Sequence, residues 1–172
     1  MKLPVLVFAC WLTATLSSIA APLPLDKLTQ TLPEYANREY ARQKLKVHLV
    51  LSGNIRVAEQ TANSQVLDVL TLERFRDLHG DTVPVLVQRR ISLGLASDQR
   101  WWLSDVQSTV QPIPESLDAK FGPYLEDIPT PRTAPPSTTG MPPATHLQSA
   151  FAQAISRWLR DVQYGEKITT DP

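Results

Sequence analysis

The fold of this chain is decided by residues 83–110, VPVLVQRRISLGLASDQRWWLSDVQSTV. From Val83 to Leu93 most of the apolar residues fall at alternate positions, which is the period of a strand with one buried face. After a loop over residues 94–99, a similar alternation resumes and continues to Val110. Two such strands joined by a short connection predict an antiparallel hairpin.

The hairpin has one predicted register in which apolar side chains meet across the two strands. Leu93 then pairs with Arg100, and a shift of one residue would separate the apolar partners. The apolar pairs predicted on the buried face are Ile91 with Trp102, Val87 with Val106 and Val83 with Val110. The side chains predicted on the solvent face are Arg90, Ser92, Trp101, Leu103 and Asp105.

Arg89 is the one charged residue that this pattern directs into the apolar row, between Val87 and Ile91. The predicted register places it opposite Ser104. A charge in that position must be paired or must reach the rim of the sheet. The simpler interpretation is a side chain that extends to the rim of a small domain. The alternative is a site for an anion or a partner.

The rest of the chain supplies helices and further strands around this hairpin. Residues 34–44 are helix formers and continue into an alternating strand pattern over 45–51. Residues 66–78 fit either a helix or a strand, of which we favour the strand, whereas residues 21–33 are expected to be irregular. The predicted fold class is therefore α+β: a small antiparallel sheet of about three to five strands, an N-terminal helix and an amphipathic C-terminal helix after a proline-rich linker.

Residues 1–20 have the pattern of a secretory signal peptide. Lys2 precedes an apolar run over residues 5–16, and small residues end at Ala20, after which we expect cleavage. The run is too short for a stable membrane span, and a lipid-modified Cys10 would leave almost no apolar stretch before it. Cys10 is the only cysteine, so the mature chain has none. We therefore expect a periplasmic or secreted protein.

The predicted organisation is a leader over 1–20, an α+β domain over 21–127, a proline-rich linker over 128–143 and an amphipathic helix over 144–165. Two fates are open to that helix. It can fold back onto its own domain, or it can dock into a groove on another protein. The second hypothesis predicts that a chain ending at Gly140 still folds and loses its partner or its self-association.

Composition and motifs exclude several classes of function. The 17 basic and 17 acidic side chains cancel, whereas nucleic-acid binders usually carry a basic excess. The three histidines, His48, His79 and His146, are scattered, and a zinc site needs three or four ligands, so we expect no metal and no cofactor. No nucleophile elbow and no phosphate-binding glycine loop occurs.

The function that the sequence favours is an exported, non-catalytic interaction protein whose partner is another protein. An accessory component of a cell-envelope assembly or an inhibitor-like binder fits this description. The alternative is a small secreted hydrolase that uses carboxylates, drawn from Asp68, Glu73 and Asp81, together with His79. The residues predicted to bind the partner are Leu147, Phe151, Ile155, Trp158, Trp101 and Arg90.

Overall fold

The computed structural model describes residues 22–111 and 140–165. These residues form a helix, an antiparallel sheet and a second helix, which confirms the α+β class. The signal peptide predicted over 1–20 and most of the predicted linker lie outside the described residues. The elements are α1 (Leu25–Arg42), β1 (Val47–Ser52), β2 (Arg56–Gln60), β3 (Ser64–Arg76), β4 (Thr82–Leu95), β5 (Trp101–Gln111) and α2 (Ala144–Tyr164).

The sheet is antiparallel throughout, with the strand order β1-β3-β4-β5. The fifth strand, β2, also pairs with β3. Because β1 pairs with residues 71–75 of β3 and β2 with residues 65–68, the two strands follow one another along the same side of β3. They are separated at residues 53–55, where the N–H of Gly53 donates to the carbonyl of Leu70 at 2.7 Å.

Both helices contribute to the main core, together with one face of the sheet. The apolar stripe of α2 lies in that core, since Leu147, Phe151, Ile155 and Trp158 are each at most 4% exposed. The C-terminal helix therefore folds back onto its own sheet. Neighbouring strand residues face opposite sides, so the other sheet face carries a second, smaller apolar cluster around Leu72 and Leu86.

The first helix begins nine residues before the predicted segment, at Leu25 instead of residue 34. The prediction that residues 21–33 are irregular was wrong from Leu25 onward, because it gave too much weight to Pro33. That proline removes one helical hydrogen bond. Its neighbours Leu28, Leu32 and Tyr35 are buried at helical spacing, and this burial outweighs the lost bond.

The hairpin exists, but the predicted register was wrong. Ile91 pairs with Val106 and Val87 with Val110, a displacement of four residues. The turn is also tighter than predicted, because the N–H of Ala96 donates to the carbonyl of Arg100 at 2.8 Å. A shift of four residues preserves which side chains share a face, so the valines and Ile91 remain on the core side.

A bulge opposite the step from Ser92 to Leu93 then exchanges the sheet faces on which the two tryptophans lie. An extra residue in one strand changes the face on which the following side chains lie. Trp101, predicted on the solvent face, is 9% exposed and belongs to the core. Trp102, predicted to face Ile91 in the interior, is 53% exposed and pairs with Gly94.

Candidate ligand pocket

Arg89 lies on the core face of β4 and is 1% exposed, so it does not extend to the rim of the sheet. Its Nη2 lies 2.6 Å from Oε1 of Glu73, which is also fully buried. Nη2 also donates to the hydroxyl of Tyr40 at 3.3 Å, and Nη1 donates to Oγ1 of Thr71. We call these four residues, Tyr40, Thr71, Glu73 and Arg89, the Arg89 network.

The Arg89 network joins α1, β3 and β4 and holds the arginine in place. The Tyr40 hydroxyl donates to Oε1 of Glu73 at 3.1 Å. Burial, and then the charge of Glu73, raise the pKa of Tyr40 far above its usual value, so this hydroxyl keeps its proton. The Phe151 ring of α2 lies 4.1 Å from the guanidinium carbon, a cation–π contact that further offsets the burial of the charge.

A cavity of about 250 Å³ lies beside Arg89, between β4, β5 and the start of α2. We call it the Arg89 pocket. Its polar side chains are Arg89 and Ser108, which pair directly across β4 and β5. Side chains directly opposite one another on a sheet face are close neighbours. The remaining lining is formed by Val87, Val110, Met141, Pro142, Ala144 and Leu147.

Two polar atoms of the pocket residues have no hydrogen-bond partner among the described residues. They are Nε of Arg89 and Oγ of Ser108, and both atoms are buried. A buried donor without a partner costs roughly 1–3 kcal/mol. Because the two residues are cross-strand neighbours that line the same cavity, one ligand acceptor could satisfy both groups.

The first turn of α2 also contributes to the electrostatics of the pocket. Ala144, which lines the cavity, is the first residue of this 21-residue helix. Pro143 precedes it, and within residues 22–111 and 140–165 no side chain caps the turn. The backbone N–H groups at a helix start carry a partial positive charge, which favours an anion.

The residues predicted from sequence to bind a partner are not brought together in the structure. The four α2 residues lie in the core, where Leu147 also lines the Arg89 pocket and Phe151 contacts Arg89. Trp101 is buried near the other end of α2, where its backbone bonds to Gln163. Arg90 lies on the opposite sheet face, exposed and paired with Glu59.

The residues of the hydrolase hypothesis are also far from forming one site. Asp68 and Glu73 lie five positions apart on β3 and therefore face opposite sides of the sheet. His79 lies in the exposed β3–β4 turn, where its backbone N–H donates to Oδ1 of Asp77 at 2.9 Å. Over residues 22–111 and 140–165, histidine, aspartate and glutamate nowhere gather in a group of three that could hold a metal ion.

Sequence reasoning identified Arg89 but missed the other pocket residues. Ser108 would have been found only with the correct register, because the predicted one placed Ser104 opposite Arg89. Val110 and Val87 were assigned to the core face and do lie there, at the edge where the cavity opens. Met141 and Ala144 approach only through the packing of α2, which no local pattern encodes.

Neither the models of protein families, nor the curated proteins, nor the solved structures include a significant match to the chain. Within the described part of the chain, neither helix combines the length and the apolar character needed to cross a membrane.

Proposed function

We propose that this chain is an exported, non-catalytic binding protein that holds another protein at the Arg89 pocket. The observation that carries the proposal is the pair of buried polar atoms, Nε of Arg89 and Oγ of Ser108, without partners beside an otherwise apolar cavity. A mostly apolar pocket with a few convergent polar groups is the usual form of a binding site.

The size of the pocket supports a protein partner. Pockets for whole drug-sized ligands are typically about 300–1,000 Å³, whereas this cavity measures about 250 Å³. A volume of this size suits a single apolar side chain or a chain end. Interfaces between proteins commonly obtain much of their affinity from a few side chains that fill such pockets.

The chemistry of the pocket supports binding as its role. Arg89 is held by Glu73, Tyr40 and Thr71, and a guanidinium does not give up its proton in a protein. Ser108 would need a base to act as a nucleophile. Among the described residues, those that line the pocket include no histidine or carboxylate, so both polar groups are suited to hydrogen bonding.

The export part of the proposal depends on the leader pattern that ends at Ala20. N-terminal sequencing of the protein recovered from the cell envelope or the medium tests it. We expect a mature chain that begins at Ala21. An intact Met1, or a lipid attached to Cys10, would contradict export by this route.

The binding part is tested by placing a photoreactive group at the mouth of the pocket. Benzoylphenylalanine at the exposed position Ala144 should form a discrete adduct with a partner in the native envelope, because Ala144 lines the cavity. The control is the same group at Gln153, an exposed position on α2 that does not line it. Filling the cavity with Ser108→Phe should remove the adduct while the protein still melts cooperatively.

Three outcomes would contradict binding at the pocket. They are the absence of an adduct at Ala144, equal adducts at the two positions, and an adduct that persists when Ser108→Phe fills the cavity.

A further inference from the structure

We infer that the Arg89 pocket recognises a carboxylate that carries a short apolar group. This inference rests on the proposed function for its biological setting, but its chemistry is tested separately. It follows from three features: the unused Nε of Arg89, the position of Ser108 and the start of α2, and the apolar walls.

The Arg89 network uses some of the guanidinium donors of Arg89 and leaves one of them unused. Nη1 and Nη2 bond to Thr71, Tyr40 and Glu73, whereas Nε has no partner among the described residues. Glu73 does not line the cavity: its Oε1 accepts from Tyr40 and lies beside Nη2, and its Oε2, which is also buried, forms no hydrogen bond with Nε or with any other described residue. The N–H at Nε is therefore available to a ligand without breaking the network.

The second feature is the set of donors that surround the position a ligand would take. Ser108 offers its hydroxyl from the opposite strand, and α2 begins at Ala144 with no side-chain cap. Hydrogen bonds from an arginine to a charged oxygen are about twice as strong as bonds between neutral groups. A helix start also stabilises an anion. Both effects favour a carboxylate over a neutral amide or alcohol of the same shape.

The third feature is the lining opposite these donors. Val87, Val110, Met141 and Leu147 give the cavity an apolar wall. A volume of about 250 Å³ corresponds to about eight water molecules at about 30 Å³ each. A branched carboxylate the size of isovalerate, or the terminal residue of a peptide that ends in valine, matches both the volume and the chemistry.

The same chemical group has two sources, a free short-chain carboxylic acid and the C-terminus of a partner protein. Titrations of the ¹⁵N-labelled full mature chain distinguish them. The probes are isovalerate, its neutral isostere isovaleramide, an acetylated glycyl-valine peptide acid, and the amide of that peptide. The readout is the N–H resonance at Nε of Arg89, together with the backbone amides of Ser108 and Ala144.

We expect at least one acid to shift these resonances and to bind at least tenfold more tightly than its matched amide. Ser108→Ala should weaken that binding several-fold, and Ser108→Phe should abolish it by filling the cavity. Thr109→Ala is the control, because Thr109 is exposed on the next position of β5 and faces away from the pocket. Binding is compared only among variants whose melting temperatures equal that of the unsubstituted chain.

Binding of either acid alone supports the inference and identifies the source. Equal binding of acid and amide overturns it, and so does the absence of binding by both acids, which would indicate a cavity that holds only water.

The two proposals can fail separately. If an acid binds but the Ala144 adduct persists in Ser108→Phe, the proposed function fails and the carboxylate site stands. If that adduct disappears but neither acid binds, the carboxylate site fails and the proposed function stands.

Discussion

The side-chain amide of Gln163 forms two hydrogen bonds with the backbone of Trp101. Its Oε1 accepts from the Trp101 N–H at 2.6 Å, and its Nε2 donates to the Trp101 carbonyl at 2.9 Å. A neighbouring strand would form the same pair of hydrogen bonds with this backbone. A side chain of α2 therefore replaces a neighbouring strand at the edge strand β5. Gln148 bonds similarly to the carbonyl of Val106 further along the same strand. The second helix is thus attached to the sheet edge at two points.

Replacing this amide should measurably destabilise the fold. We expect Gln163→Leu to lower the free energy of unfolding by about 1–3 kcal/mol, since two hydrogen bonds of about 0.5–1.5 kcal/mol each are lost. Urea denaturation measures the change. Gln153→Leu, at an exposed position of the same helix, is the control. Equal losses in the two variants would mean that the bonds to Trp101 contribute nothing specific.

The position of α2 reverses the expectation that a chain ending at Gly140 folds. The helix carries seven buried residues, including Phe151 and Trp158. Large apolar side chains contribute roughly 1.5–3 kcal/mol each when buried, which in sum rivals a typical total stability of about 5–15 kcal/mol. We therefore expect residues 21–140 to lack a cooperative melt and near-ultraviolet circular dichroism, whereas residues 21–172 show both. A cooperative melt of the shorter chain would show that α2 is dispensable.

The bulge in the hairpin makes a prediction about the two adjacent tryptophans. Trp101→Ala should cost about 3–5 kcal/mol, as expected for a large core residue, because Trp101 is 9% exposed. Trp102→Ala should cost less than about 1 kcal/mol, because Trp102 is 53% exposed. Chemical denaturation of the two variants decides the matter. The opposite order of costs would restore the register predicted from sequence.

How far the sequence predicts the fold can be seen in this hairpin. Alternation alone placed Val87, Ile91, Val106 and Val110 on one face, because a face depends only on odd or even position. The register depends on turn length and on the bulge in β5 opposite Ser92 and Leu93, and alternation is insensitive to a shift of four residues. The start of α1 was missed for another reason, since a local signal from proline was weighed without the tertiary burial that overrides it.

The candidate site was less predictable than the fold. Parity directed Arg89 into the core, and that placement is correct. Its partners Glu73 and Tyr40 come from β3 and α1, and the pocket needs α2 to close it. Contacts between segments so far apart in the chain depend on tertiary packing, and no short sequence motif predicts them.

The contact between Tyr35 and Asp161 predicts a loss of stability at high pH. The Tyr35 hydroxyl donates to Oδ2 of Asp161 at 2.8 Å. Burial, and then this bond, raise the pKa of Tyr35 from 10.0 to about 12. The folded chain therefore holds this proton more tightly than the unfolded chain does. Its stabilising contribution is complete below pH 10 and is lost as the pH rises through about 12.

Tyr35→Phe should consequently flatten the dependence of stability on pH between 10 and 12. Part of the loss will remain, because the pKa of Tyr40 is also raised and contributes with the same sign. Tyr164→Phe, at a position that is 58% exposed, is the control. Thermal melts across this pH range measure the slopes. An unchanged slope in Tyr35→Phe would show that the Asp161 contact does not distinguish the folded from the unfolded state.

The ion pair beneath the pocket predicts strong coupling between Arg89 and Glu73. Removing one member of a buried pair leaves the other charge without compensation, which typically costs about 3–5 kcal/mol. We expect Arg89→Met and Glu73→Leu each to fall in this range. The double variant should lose about 2–3 kcal/mol less than the sum of the two, because neither charge is then left buried alone.

The neighbouring arginine provides a matched control for that cycle. Arg90 lies one position along β4 with its side chain 45% exposed, and it pairs with Glu59 at the surface. Arg90→Met should change the free energy of unfolding by less than about 1 kcal/mol, the usual range for exposed ion pairs. Guanidinium denaturation of the five proteins measures the cycle and its control together. Additive losses at Arg89 and Glu73, or equal losses at the two arginines, would contradict a buried ion pair. The Arg89 network would then no longer explain how Arg89 is fixed beside the pocket.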